Sequence, residues 1–138
     1  MKKAGFSLIE VLIAVVLVGL AITALLLASN SFTIANSAGT DLSTAEFLIE
    51  QIRELTTLLP YDDLDDFDGA SFSPPIDANR EPLGSFAAFS QHVTVENVSP
   101  ANFEEVVIDH SSSFVRVTVT VFLNTKEISS AIWIRARY

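Results

Sequence analysis

From Val11 to Ala28 the chain reads VLIAVVLVGLAITALLLA, eighteen residues without a charge, and no proline occurs before Pro60. A run of this length approaches the about 20 residues that carry a helix across a bilayer. In hydrocarbon every backbone N–H and C=O must be satisfied within the segment, so a single span of this kind has one structure open to it, the α-helix. With residues 6–10 added the span is sufficient. Lys2 and Lys3 precede the run and Asp41 is the first charge after it. That asymmetry places the N-terminus on the cytoplasmic side and the bulk of the chain on the other. Glu10 stands out, because a carboxylate in a membrane helix costs about 2.5–3.5 kcal/mol on insertion scales and marks a functional position by default.

The opening MKKAGFSLIEVLI combines a short basic leader, a glycine, a phenylalanine and a glutamate five positions into the chain that would follow the glycine. These residues resemble the processing and methylation signal of type IV prepilins and of the pseudopilins of type II secretion systems. The resemblance covers residues 1–28. It implies cleavage after Gly5 by a prepilin peptidase and N-methylation of Phe6 as the new N-terminus. It further implies that Glu10 neutralises the terminal amine of a neighbouring subunit as helices bundle, which suits the physics of opposite charges tolerable in a low dielectric only when paired. The partners it implies are other pilins or pseudopilins and an inner-membrane assembly platform. The competing reading is an ordinary secretory signal cut near Ala28. A glutamate inside its apolar region and an accidental register with the prepilin signal count against it.

Beyond the span, apolar or small residues recur at Phe32, Ala35, Gly39, Leu42, Ala45, Ile49, Ile52, Leu55 and Leu59, steps of three and four that keep one helical face apolar. Asp41, Glu46, Glu50, Arg53 and Glu54 take the other face, and Glu50 with Arg53 falls at neighbour spacing. A single helix from Phe6 to Leu59 is therefore expected, with a local bend where Asn30, Ser31, Asn36, Ser37, Gly39 and Thr40 weaken it. Residues 60–88, with Asp62, Asp63, Asp65, Asp66 and Asp68 closed by Gly69 and with prolines at 74, 75 and 82, read as a loop.

Candidate strands follow at Phe89–Val98, Glu104–His110, Phe114–Phe122 and Glu127–Ala136. The third alternates Val115, Val117, Val119 and Val121 with Arg116, Thr118 and Thr120, the period of a half-buried strand. Asn124 and Thr125 make a short link, so the third and fourth form an antiparallel hairpin. On the fourth strand Ile128, Ile132, Ile134 and Ala136 share one parity and Trp133 and Arg135 the other, and the isoleucine face is expected to join the valines against the helix. The fold class is α+β, a long N-terminal helix packed on a small antiparallel sheet, which agrees with the fold that the pilin resemblance implies. The expected organisation is a leader at 1–5, a membrane or filament-core helix at 6–28, its amphipathic continuation at 29–59, an acidic loop at 60–88 and a periplasmic sheet at 89–138.

Seventeen acidic against eight basic residues give a formal charge of -9, and cleavage after Gly5 would remove two of the eight. Such a surface does not fit nucleic acid, whose phosphates need clustered Lys and Arg. The absence of Cys rules out disulfides and thiolate metal sites. The five aspartates are the only cation candidates, since carboxylates on a Gly-containing loop can ligate calcium. Leu64 and Phe67 interrupt the EF-hand spacing, however, and no Glu closes it. Some pseudopilins bind calcium in their heads, but their ligand motif does not map onto these positions, so a solvated acidic loop is favoured and no cofactor is expected. His92 and His110 lie far apart with no third ligand suggested by spacing, and Ser111, Ser112 and Ser113 lack a nucleophile-elbow pattern. Trp133 reads as packing. The expectation is a structural subunit rather than an enzyme, a minor pseudopilin or minor pilin. The alternative is a membrane-tethered module that captures calcium or a protein partner through the acidic loop.

Overall fold

The computed structural model describes residues 7–108 and 111–137. Helix α1 runs from Leu8 to Leu58 without interruption. Ala and Leu favour it, Ser7 opens it by accepting the Glu10 and Val11 N–H groups at 3.0 and 3.2 Å, and Pro60 ends it. The expected single helix is thus observed from Leu8, while Phe6 lies outside the described residues. The chain divides into two compact units, residues 1–39 and 40–138, so that α1 contributes to both.

In the first unit α1 has no packing partner among the described residues, and its side chains from Leu8 to Ile34 are exposed all round. The hydroxyls in this stretch do not break the apolar surface. Thr23 donates to the Gly19 carbonyl at 2.9 Å, Ser31 to Leu27 at 3.0 Å and Thr33 to Ser29 at 3.1 Å, so each is satisfied one turn back.

The second unit is the α+β layer pair that the sequence predicts. Strands β1 (Ser71–Phe72), β2 (Phe89–Asn97), β3 (Phe114–Leu123) and β4 (Lys126–Ala136) form one antiparallel sheet in the order β1-β2-β3-β4. Val115, Val117, Val119 and Val121 are buried, as their alternation predicts, beside Val93 and Val95 of β2 and against Ala45, Leu48, Ile49, Ile52 and Leu55 of α1. Asn124 turns the β3–β4 hairpin with φ 56°, a left-handed conformation that asparagine tolerates better than most residues. The helical stripe is buried only from Ala45 onward, and Phe32 and Leu42, expected on the same apolar face, are exposed.

Three further expectations are corrected. The stretch Glu104–His110 is not a strand: a turn in which Glu105 N–H bonds to the Asn102 carbonyl leaves one bridge, Val98 to Val106, and Asp109 and His110 lie outside the described residues. On β4 the core face belongs to Ala131 and Trp133, and Ile132 points outward. A bulge explains this, because Val121 faces Ser129 while Phe122 faces Glu127, so Ile128 is an extra residue that still packs on the core and the parity changes there. Residues 60–88 are not a free loop. Leu64, Phe67 and Ile76 are core residues, 3-10 turns occupy Tyr61–Asp63, Asp65–Phe67 and Gly84–Phe86, and β1 joins the sheet. The apolar residues that interrupt the aspartates are the ones that anchor the segment.

Candidate functional site

Glu10 lies in the first turn of α1 and is exposed, among Leu8, Val11 and Ile13, which are exposed as well. Ala14 stands one helical turn further on, so a small side chain leaves room beside the carboxylate on that face. A helix apolar on every side is stable only where lipid or other helices cover it. By length and composition α1 is sufficient to cross a membrane, and it is the one such helix among the described residues. Lys2, Lys3, Gly5 and Phe6 lie outside the described residues, so the cleavage and methylation positions carry no geometry.

The acidic segment has structural duties. Asp68 Oδ1 accepts the Val95 N–H at 2.9 Å, closing part of the β2 edge, and Asp62 pairs with Arg137, whose guanidinium also stands 5.3 Å from the Tyr61 ring. Burial raises the Tyr61 phenol above its ordinary pKa, and Asp65 and Asp62 add to this while Arg137 opposes it. Asp63, Asp65 and Asp66 are exposed. Among the described residues no group of three or more His, Asp or Glu side chains converges as a metal site would require. The His92 ring lies tilted at 59° against Phe122, centroids 4.9 Å apart, and its Nε2 is 3.3 Å from the Ser71 hydroxyl on the outer sheet face. Trp133 packs on the core with the Arg53 guanidinium 5.0 Å from its ring, as the packing reading expects.

Two residues that sequence reasoning did not single out hold this unit together. Gln91 is fully buried; its Oε1 accepts the Ile76 N–H at 2.8 Å and its Nε2 donates to the Leu48 and Ile76 carbonyls at 2.9 and 3.1 Å. One amide thus ties helix, sheet and the 60–88 segment. Arg135 donates to the Thr56 carbonyl and, at 3.3 Å, to that of Leu59, supplying the cation that the last turn of α1 lacks. A polar residue at the parity of Val93 and Val95 is the only sign of Gln91 in the sequence, and Arg135 reads as outward until the bulge in the β3–β4 pairing is known.

The exposed apolar helix with its carboxylate is a surface that asks for a partner. Residues 1–27 match the family model of the prokaryotic N-terminal methylation motif. The chain therefore carries a prepilin-type cleavage and methylation signal. That signal supports a type IV pilin- or pseudopilin-like precursor, and its family is structural rather than catalytic. No curated protein and no solved structure matches the chain.

Proposed function

We propose that this chain is a minor pseudopilin or minor pilin. It is inserted in the bacterial inner membrane with its N-terminus cytoplasmic and residues beyond the span periplasmic, cleaved after Gly5 by prepilin peptidase and methylated on Phe6. Through α1 it is then taken by the assembly platform into a short filament with other pilin-like subunits. The match of residues 1–27 to the methylation motif carries this reading. The all-round exposure of the apolar helix supports it, because helices in a filament core would cover the same surface. Glu10 is the assembly residue, pairing with the terminal amine of a neighbour in a low dielectric where either charge alone is costly. The chain acts as a substrate of the peptidase, not as a catalyst. Its short leader, the absence of Cys and a proline-free span favour a secretion pseudopilus over a pilus.

Sequencing the N-terminus of the mature protein by mass spectrometry tests the proposal. The expected result is a chain beginning at Phe6 and heavier by one methyl group; a chain beginning near Ser29, or one left uncut, overturns it. In the same preparation Glu10→Val should leave insertion and cleavage intact and reduce incorporation into filaments.

A further inference from the structure

The sheet ends in two unfinished edges that match each other. On one side, Ser99 N–H bonds to the Glu105 carbonyl and Val107 N–H to that of Asn97, both at 2.9 Å, flanking the Val98–Val106 bridge. In an antiparallel ladder this is the non-hydrogen-bonded type of pair, so the N–H and C=O of Val106 point away from their own sheet. On the other side β4 is an edge strand, with no further strand beside it among the described residues. Arg137 N–H bonds to the Ser113 carbonyl at 2.8 Å, which makes the Phe114–Ala136 pair non-hydrogen-bonded as well. Alternation along the regular register then turns the backbone groups of Ala136, Ile134 and Ile132 outward.

The side chains agree with the backbone. Ile108 is 84% exposed, Ile132 61% and Val106 52%, which leaves apolar surface on both edges. The charges differ in sign: Glu104 and Glu105 precede Val106, while Lys126, Arg135 and Arg137, three of the eight basic residues, lie on or beside β4 against one acid on that strand, Glu127, although within their own chain Arg135 also holds the end of α1 and Arg137 also pairs with Asp62. For a chain of net charge -9, whose copies repel overall, this local complementarity selects one mode of approach.

We infer that the occupant of the β4 edge is a second copy of this chain, whose segment 106–108, just past the turn at Asn102–Glu105, adds to it in antiparallel fashion. Hydrogen-bonding parity restricts the register, because Val106 must face a residue of β4 that also points outward. Val106 against Ile134 meets this condition and sets Ile108 against Ile132 on the outer face, with the turn that carries Glu104 and Glu105 at the Arg135–Arg137 end of β4. The two edges belong to opposite sides of one sheet, so the contact is head to tail, the kind that lets a filament grow when the rotation between copies does not close a ring. So short a strand binds weakly by itself. Subunits confined side by side by their membrane helices meet at a high effective concentration, where a weak contact sets orientation. The inference thus rests on membrane anchoring and deepens the filament reading.

Cross-linking in membranes tests it, and the Cys-free sequence suits the experiment. Two full-length versions, one carrying Ile108→Cys and the other Ile132→Cys, are produced together and treated with a short bifunctional thiol reagent. The expected product is a species of twice the subunit mass, several-fold more abundant than with either version alone. Equal yields in mixed and single samples, or attachment to a different protein, overturn the assignment. Val106→Pro, which removes the outward N–H, and Glu105→Lys, at an exposed residue outside the core, should each return the yield to the single-version level. An unchanged yield with both also overturns it. Sequencing the N-terminus of the same sample reports separately on prepilin processing, so failure of the contact and failure of the filament reading are distinguishable.

Discussion

Gln91 shows at the scale of one residue how a polar side chain can hold a small core. Its amide makes three hydrogen bonds to backbone atoms from two separate segments. Gln91→Leu keeps the volume near and removes all three, leaving the buried Ile76 N–H without a partner, a loss of about 1–3 kcal/mol. The drop is expected as a lower urea midpoint, followed through the fluorescence of Trp133, the single tryptophan. Asp77 works at a surface turn instead. Its Oδ1 accepts the N–H groups of Glu81 and Asn79 at 2.8 Å each, and these bonds hold its pKa below the ordinary 3.8. A depressed carboxylate stabilises the fold above its unfolded pKa and loses that effect as pH falls through the folded value. Stability should therefore decline below about pH 4 through this group. In Asp77→Asn the acid slope of the melting temperature should flatten, and an identical slope in both proteins would remove Asp77 from the account.

Among the elements, α1 was the most legible in the sequence and β4 the least. The valines of β3 alternate without interruption, so their burial follows from period alone. On β4 the isoleucines at 128, 132 and 134 suggest one face, but the bulge opposite Val121 and Phe122 puts Ile128 inside and Ile132 outside. Pattern reading has no access to a bulge that no glycine or proline announces. Residues 60–88 were misread for a related reason: their aspartates at 62–68 describe the exposed surface, whereas Leu64, Phe67 and Ile76, with the buried Pro75, decide the packing. The prepilin-type signal was legible because its register is written in adjacent residues, and Gln91 and Arg135 were not because their partners are far away in the chain. Arg135 is nonetheless decisive for α1. Arg135→Leu should cost about 1.5–3 kcal/mol by stripping a charged donor from the Thr56 and Leu59 carbonyls. Arg135→Lys should recover only part of it, since an ammonium cannot span two carbonyls as the guanidinium fork does. Equal midpoints for the Leu and Arg proteins would show that the cap is idle. The exposed Glu50–Arg53 pair, 2.6 Å apart, lies where such pairs contribute little.

For the whole molecule, the division at Gly39 and Thr40 separates a surface that needs lipid or other helices from a unit with its own core. A fragment of residues 40–138 should accordingly dissolve without detergent and unfold in one cooperative transition in urea. Millimolar calcium should not shift its melting temperature, because Asp68 is committed to Val95 and Asp62 to Arg137. A gradual, non-cooperative transition would mean that the second unit depends on the first, and a raised melting temperature with calcium would give the aspartates a ligand.

Ribosomes deliver the chain from its N-terminus, and Arg135 meets Thr56 across 79 positions of sequence. The end of α1 is thus made well before the residue that secures it. A chain ending at Ile134 would keep every apolar core residue and still lack the cation at its helix end. Until Arg135 is added, the Thr56 and Leu59 carbonyls lack that charged donor, and the last turn of α1 frays more readily.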